Sequence, residues 1–168
     1  MEAHPNASFV YNENYDQTNT SKSLLKALRV SHEGGVLWLN GDVVFDHRVL
    51  ERVKERIVNE KSFVCVNTSS VGEEEVKYTV DSQGNIKELS KKVQNALGEA
   101  VGINFISNAD KKSAIKHLEE CADNDYFERG LELAIEKSGI KIEPVDISDL
   151  FAVEVDFQAD LDRANSQI

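Results

Sequence analysis

The sequence predicts an α/β fold with a mainly parallel sheet, and two features of its pattern support this prediction. Short apolar runs alternate with segments whose apolar residues recur at helical spacing, as in strands joined by crossover helices. Within this series, the alternating segments 76–80 and 86–89 flank a turn at Gly84, which predicts one inserted hairpin. At 168 residues, 40% of them hydrophobic, the chain is long enough for a single domain with a substantial core.

The segment 36–46 holds the first clear strand and the first candidate functional residue. Its apolar run VLWL has no polar alternation, which suits a strand buried on both faces. Asn40 and Gly41 tolerate the backbone angles of a tight turn. Asp42 is therefore expected just beyond the carboxyl end of the strand, where ligands bind in open α/β sheets.

A hairpin is the alternative interpretation of this segment. Asn-Gly between two apolar runs is typical of a two-residue hairpin loop, so 37–45 would form an antiparallel pair with Asp42 exposed on it. The next segment favours the first interpretation, because Val49, Val53 and Ile57 share helical spacing and Asp46 stands at the N-cap position. We therefore expect a strand, an acidic loop and a helix.

The other elements are expected in the following order. A short strand at 8–11 precedes a polar loop at 12–20 and a helix that ends before Gly34. An acidic, solvated loop is expected at 73–75, and the last helix should bury Leu161 and Ala164. We further expect helices at 46–59, 109–122, 126–138 and from Gln158, and strands at 62–67, 101–106, 141–145 and 151–155.

The charge of the chain bears on its partners and location. A net charge of -11 and a pI near 4.8 argue against binding to nucleic acid or to an anionic membrane surface, whereas a divalent cation is easily accommodated. No apolar run is long enough to cross a membrane, and polar residues follow Met1. We therefore expect neither a transmembrane helix nor a signal peptide, and a cytoplasmic protein.

Cysteines and histidines give no indication of a disulfide or a metal site. Cys65 lies in an apolar run and Cys121 on the apolar face of a predicted helix, so both are expected to be buried free thiols. The histidines are scattered without ligand spacing and are expected at the surface. They are His4, His32, His47 and His117.

Two aspartates at predicted strand ends are the candidates for metal chemistry. Asp42 and Asp156 would meet at one edge of the sheet, and two carboxylates with waters and substrate phosphates are the usual ligands of Mg2+ in proteins. A simpler role is open for Asp156, since a strand-end aspartate ahead of Gln158 would also cap the helix that follows.

Several of these segments, taken in order, resemble one known family. The segments LNGD at 39–42 with VFD at 44–46, GEAVGI at 98–103, and EVD at 154–156 are similar to the nucleotidyltransferases of the glycosyltransferase-A-like fold. The subgroup that looks closest is the cytidylyltransferases that act on phosphocholine and related phosphorylated small molecules, because residues 12–24 are similar to the segment that follows its second strand. The resemblance covers nearly the whole chain and implies a Rossmann-like three-layer nucleotide-diphospho-sugar transferase fold with a mixed, mainly parallel sheet.

The resemblance also implies roles for individual residues. Asp42 and Asp156 match the two magnesium-binding aspartates, and Lys91 falls where the family has a lysine near the transferred or acceptor phosphate. Unless it has that role, Lys91 is one of two exposed lysines after the hairpin. Nucleotide contacts are implied for Asn19, Thr20 and Gly41, and the acceptor pocket for Glu99, Gly102, Tyr126 and Glu128.

Tyr126 and Glu128 fall where the choline-type subgroup has an aromatic and acidic cluster. Such a cluster can hold a quaternary ammonium over an aromatic face, with about 0.5–2 kcal/mol per contact. The neighbouring Phe127 belongs to the apolar stripe of its predicted helix, so Tyr126 is preferred as the ligand. A sugar 1-phosphate acceptor would not need this cluster.

One part of the family's pattern has no counterpart in this sequence. The family begins with a strand and a glycine-rich loop containing arginine and lysine, which holds the triphosphate, and nothing similar precedes Asn12. The chain is therefore expected to be an N-terminally truncated domain: a fragment, the product of a misassigned start, or a degenerate copy. Loss of a central strand would expose a sheet edge, through which a homo-oligomer is expected.

Three functions follow from these observations. The first is transfer of a nucleoside monophosphate from a nucleoside triphosphate, with CTP favoured, to a phosphorylated small molecule such as phosphocholine or a sugar 1-phosphate, with release of pyrophosphate. The second is a non-catalytic remnant or interaction module of the same fold. The third is a magnesium-dependent phosphohydrolase, since an acidic strand end suits many phosphate chemistries.

Overall fold

A mixed sheet of six strands forms the centre of the molecule in the computed structural model, which describes residues 7–69, 71–72 and 75–167. The helices are α1 (Thr20–Val30), α2 (Arg48–Val58), α3 (Asn108–Glu120), α4 (Phe127–Ser138) and α5 (Gln158–Asn165). The strands are β1 (Val36–Leu39), β2 (Val43–Phe45), β3 (Phe63–Asn67), β4 (Lys77–Val80), β5 (Ile86–Ser90), β6 (Gly98–Ile106), β7 (Glu143–Asp146) and β8 (Ala152–Glu154). The expected α/β class with one inserted hairpin, β4–β5, is confirmed.

The long strand β6 organises this sheet. One of its edges pairs with β3, and the other pairs first with β4 and then with β1, so that β4 and β1 lie end to end. Strands β1, β3, β4 and β7 run in one direction, as a mainly parallel sheet requires. The pairing itself differs from the prediction, because β6 runs antiparallel between these strands and leaves β3–β7 as the one parallel pair among the described strands.

The hairpin interpretation of residues 37–45 is wrong. Strand β2 pairs with β8 rather than with β1, and the two form a small separate sheet. The expected helix then begins at Arg48, and the Asp46 carboxylate accepts the Arg48 backbone N–H at 2.9 Å. Asp46 therefore stabilises the start of α2, as its position in the sequence predicted.

Helices cover both faces of the sheet. Alternation along β3 directs Val64 and Val66 toward α1, α3 and α4, and Phe63 and Cys65 toward α2. Leu28, Leu118 and Leu131 fill the first layer, and Val49 and Val53 of α2 fill the second. This arrangement gives the expected three layers and confirms that Cys65 is a buried free thiol, as is Cys121.

Three local expectations differ from the structure, and two others lie outside the described residues. Residues 8–11 form no strand, and Phe9, Val10 and Tyr11 are exposed because no described strand lies beside them. His117 is fully buried between α3 and α4, where its Nε2 lies 2.8 Å from the Ser138 hydroxyl. Leu161 is 41% exposed, whereas Ala164 is buried as expected. His4 and residues 73–74 of the acidic loop lie outside the described residues.

None of the helices in the described part of the chain is both long enough and apolar enough to span a membrane.

Candidate active site

A cleft opens where β1 ends and β4 begins along the same edge of β6. Asn40 follows β1 and donates its backbone N–H to the Gly102 carbonyl at 2.8 Å. On the other side of the gap, the Ala100 N–H donates to the Val76 carbonyl at 2.7 Å. Strand β6 is thus held on both sides of the gap, and the side chains around it line a central cavity of ≈ 140 Å³.

Gly102 shapes the floor of this cleft. Its φ of 68° lies in the left-handed region, at the bulge where the register of β6 against β3 shifts. A Cβ at this position would lie 2.8 Å from the side-chain amide of Asn40, which is closer than van der Waals contact allows. Glycine therefore permits both the bulge and the close approach of Asn40.

Asn40 links the end of β1 to β8. Its side-chain amide donates to the Glu154 carboxylate at 3.1 Å. Asn40 was expected only as a turn residue, and Glu154 had no expected role. Glu75 was expected in a solvated loop, but it is half-buried and lines the same cavity. The position of Glu154 two residues before Asp156 was an available signal, because side chains at i and i+2 of a strand share a face.

Asp42 and Asp156 come together through the pairing of β2 with β8. Val43 pairs with Glu154, and the Val155 N–H donates to the Asp42 carbonyl at 2.9 Å. Asp42 therefore lies opposite Val155, and Asp156 is the next residue along the chain. Burial raises the pKa of Glu154, and the negative charges of Asp42 and Asp156 raise this pKa further. The structure thus brings the two aspartates to one edge, beside the central cavity that Asp156 lines.

The alternative role of Asp156 as a helix cap is not observed. At the start of α5, the Phe157 N–H donates to the Asp160 carboxylate at 2.9 Å. Asp160 is held in turn by Arg163, whose guanidinium lies 2.6 Å away. The Asp156 carboxylate is therefore not needed to begin the helix.

Lys91, Tyr126 and Glu128 lie together on the opposite wall of the central cavity. The Lys91 ammonium stands 5.1 Å from the centre of the Tyr126 ring. Glu128 is only 8% exposed, and its Oε2 has no hydrogen-bond partner among the described residues. Burial raises the pKa of Glu128 to about 7, Glu154 adds to this effect, and Lys91 opposes it.

The central cavity continues into two larger ones. Toward α5 it shares Glu75, Glu154 and Asp156 with a cavity of ≈ 300 Å³ that Glu99 also lines. Toward α4 it shares Lys91, Tyr126 and Glu128 with a cavity of ≈ 540 Å³. The three cavities therefore form one continuous cleft, with carboxylates toward α5 and with Lys91, Tyr126 and Glu128 toward α4.

The other predicted site residues lie at the border of this cleft or away from it. Glu99 lines the cavity toward α5, and its carboxylate accepts the Gly72 N–H at 2.8 Å. Asn19 and Thr20 begin α1 and line none of these three cavities. Thr20 accepts the Phe127 N–H at 3.0 Å, which ties α1 to the start of α4. Gly41 lies in the turn before Asp42, and nucleotide contacts for these three residues stay a prediction.

A magnesium site formed by Asp42 and Asp156 stays a prediction. Among the described residues, no group of three or more histidines, cysteines or carboxylates is arranged to hold a metal ion. Asp42 and Asp156 supply two carboxylates, and magnesium commonly takes one or two carboxylates with waters and substrate phosphates. Asp156 lines the central cavity and the cavity toward α5, whereas Asp42 lines none of the three cavities. The number of carboxylates matches what magnesium takes when phosphate and water complete its ligands.

The molecule has the fold of the nucleotidyltransferases. Solved structures establish this, whereas no protein-family model and no curated protein matches the chain. An inositol-1-phosphate CTP transferase from T. maritima superimposes with a TM-score of 0.71 and 14% identity, over 90% of this chain and 62% of that chain. A putative glucose-1-phosphate thymidylyltransferase from Bacillus anthracis gives 0.69 and 16%, over 99% and 67%.

A third similar structure is named for a different acceptor. The CTP:phosphocholine cytidylyltransferase from Streptococcus pneumoniae gives a TM-score of 0.65 at 11% identity, over 93% of this chain and 66% of that chain. The chain thus spans about two thirds of the length of these three structures. At such identities the likeness shows the fold.

Proposed function

We propose that this chain is the larger part of a nucleotidyltransferase that moves a nucleoside monophosphate from a nucleoside triphosphate to a phosphorylated small molecule. The observation that carries the proposal is the cleft at the end of β1, where Asp42 and Asp156 approach one edge and Lys91 lies on the opposite wall. Ligands of open α/β sheets bind at such strand ends. We further propose a cytoplasmic setting, which suits the two buried free thiols.

In this reaction, a phosphate oxygen of the acceptor attacks the α-phosphorus of the nucleotide, and pyrophosphate leaves in line. A bound magnesium ion would supply positive charge that offsets the charge developing on the reacting phosphates. Asp42 and Asp156 would hold that ion at the edge of the sheet. The ammonium of Lys91 would neutralise the acceptor phosphate, and fixing two mutually repelling anions in line supplies much of the rate enhancement.

The acceptor is proposed to be a phosphocholine-like molecule, with CTP as the favoured nucleotide. Tyr126 presents an aromatic face, and Glu128 and Glu154 present carboxylates to the same cavity, as a cationic head group requires. A sugar 1-phosphate is the alternative acceptor, since the fold is shared with structures of that type.

The activity is proposed to need a further glycine-rich, basic segment that the present sequence does not contain. The chain spans about two thirds of the similar structures, and the described cleft offers few basic groups for a triphosphate. The test compares this chain with a form extended by in-frame upstream sequence, measuring pyrophosphate release from CTP with phosphocholine and with a sugar 1-phosphate. We expect release only from the extended form, and equal activity of the two would contradict this requirement.

A non-catalytic interaction module is the second candidate, and the free edge of β1 favours it. Asn40 bonds to Gly102 across β6, so by antiparallel alternation the N–H and C=O groups of Leu37 and Leu39 point away from β6. No described strand pairs with this edge, and Leu39 is 41% exposed. Concentration-dependent self-association without magnesium-dependent nucleotide binding would support this candidate over the first.

A further inference from the structure

The geometry points to an internal ligand in this cleft: we propose that the Lys91 ammonium occupies the subsite for a cationic group, formed by Tyr126 and Glu128, and that a ligand's cation displaces it. This inference deepens the proposed function, on which it rests for the phosphate that would receive Lys91 once displaced. The cation subsite itself is independent of any catalysis.

The first step of the argument is the position of Lys91. Its ammonium lies 5.1 Å from the centre of the Tyr126 ring, within the range of a cation–π contact. The Tyr126 side chain is 45% exposed, so its face is open to the cleft and is not part of the core. Lys91 therefore stands where the cation of a ligand would make its aromatic contact.

The second step is the state of Glu128. This carboxylate is buried in the first turn of α4, and its Oε2 lacks any hydrogen-bond partner among the described residues. A buried carboxylate without a donor is costly and calls for a cation or a proton. The ammonium of Lys91 is near enough to act on Glu128 electrostatically but does not donate a hydrogen bond to it. Lys91 thus compensates Glu128 only in part.

The third step is the mobility that the position of Lys91 allows. Lys91 is exposed and follows the end of β5, in the turn that leads to β6. A lysine side chain has four flexible methylene groups, so its ammonium can leave the ring without movement of the backbone. It would then reach into the same cleft, where the anionic end of a bound zwitterion would lie.

The fourth step distinguishes a Lys91 that competes with a ligand from a Lys91 that only neutralises its surroundings. If Lys91 only neutralised the acidic wall, its removal would weaken this region and would not create a better cation site. If Lys91 competes with a ligand, its removal should improve binding of a simple cation and weaken binding of a zwitterion that carries a phosphate. The two ligands should therefore respond to one substitution with opposite signs.

The experiment titrates the whole chain with tetramethylammonium chloride, without nucleotide or magnesium. The fluorescence of Trp38, the single tryptophan, reports binding, because its ring lies 5.6 Å from that of Phe127, next to Tyr126 and Glu128. We expect Lys91→Met to bind tetramethylammonium about fivefold more tightly than the unaltered chain. Lys87→Met, an equal charge change at an exposed position of β5, should alter affinity by less than about twofold.

Two further measurements complete the test. Tyr126→Leu should abolish tetramethylammonium binding both alone and combined with Lys91→Met, with circular dichroism confirming that each variant is folded. Phosphocholine should bind Lys91→Met more weakly than it binds the unaltered chain. Unchanged or weaker tetramethylammonium binding by Lys91→Met, or binding that survives Tyr126→Leu, would overturn the proposal. Neither result depends on pyrophosphate release, so failure of the proposed transfer reaction would be seen separately.

Discussion

Acidic side chains are held in two different ways in this molecule. Beside the exposed arginines of α2 they are paired: Arg48 donates to Asp46, Arg52 donates to Asp149, and each pairing lowers the pKa of the aspartate to about 2. In the central cavity, burial raises the pKa of Glu128 to about 7, and its Oε2 is unpaired. Pairing with arginine stabilises the ionised form of Asp46 and Asp149, whereas burial favours the protonated form of Glu128.

The largest expected effect is on catalysis. In the extended form that is proposed to be active, Asp42→Asn and Asp156→Asn should each reduce pyrophosphate release by at least about 100-fold, because each removes a carboxylate proposed to hold the metal. Asp149→Asn is the matched control from the paired surface at α2, and its activity should be unchanged. Equal losses of activity from all three variants would show that the aspartates at the cleft differ in no functional way from the paired aspartate at the surface.

The next effect is on stability and follows from the pKa of Glu128. This pKa is raised from its usual 4.5 to about 7, so ionisation destabilises the folded state. The penalty is absent below pH about 4.5, grows up to pH about 7 and is constant above it. Glu128→Gln should therefore match the unaltered chain at pH 4.5 and exceed its free energy of unfolding at pH 8 by about 1–3 kcal/mol. Urea unfolding at the two pH values measures this difference.

Glu120→Gln provides the control with the opposite sign. Glu120 lies on α3, and hydrogen bonding to Lys137 lowers the pKa of its carboxyl, with a smaller contribution from His117. Its ionised form stabilises the folded state, so this substitution should lower stability at pH 8 and have less effect in acid. A gain in stability from both substitutions would indicate a general effect of removing negative charge from an acidic protein.

A smaller effect concerns the backbone of the cleft. Gly102→Ala should cost about 2–3 kcal/mol, because alanine is strained at φ of 68° and its Cβ would meet Asn40 at 2.8 Å. Gly84→Ala, at φ of 83° in the hairpin turn, has the same backbone strain with no atom within 4 Å. It should cost about 1 kcal/mol in urea unfolding. Equal costs at both sites would mean that Asn40 moves aside freely.

The smallest effect is expected on the paired surface. Asp149→Asn removes the partner of Arg52 from an exposed pair, which contributes little to stability in water. Because its pKa is lowered from 3.8 to about 2, Asp149 contributes its full stabilisation above pH 3.8. This stabilisation is lost as the pH falls toward about 2. The urea midpoint of the variant should be slightly lower at pH 7 and equal to that of the unaltered chain in strong acid.

Local pattern was sufficient for most elements of this fold and insufficient for how they pair. The apolar runs of β1 and β3 and the helical spacing in α2 predicted those elements close to their observed bounds. The antiparallel course of β6 was not predictable, because burial alternates along a strand in the same way in either direction. The partner of β2 was also missed, since three residues carry too little pattern to identify β8.

In the candidate site, too, local pattern indicated individual residues but not their long-range contacts. A turn and a strand end marked Asp42 and Asp156 as candidates, and the resemblance marked Lys91, Tyr126 and Glu128. Of these five residues, all but Asp42 line the central cavity, and their roles stay predictions. The contact between Asn40 and Glu154 was missed because it joins residues 114 positions apart, although the spacing of Glu154 two residues before Asp156 was a signal for Glu154 itself. His117 was wrongly expected at the surface, since nothing beside it in the sequence indicates that Ser138 would lie within 2.8 Å of its ring.

The most direct test of the central claim is binding of Mn2+, in place of Mg2+, in the presence of CTP, followed by electron paramagnetic resonance on the extended form. We predict that CTP increases Mn2+ binding by the unaltered protein and by Asp149→Asn, and that Asp42→Asn and Asp156→Asn each lose this increase. Equal CTP-dependent Mn2+ binding by all four proteins would contradict a metal site shared by these two aspartates.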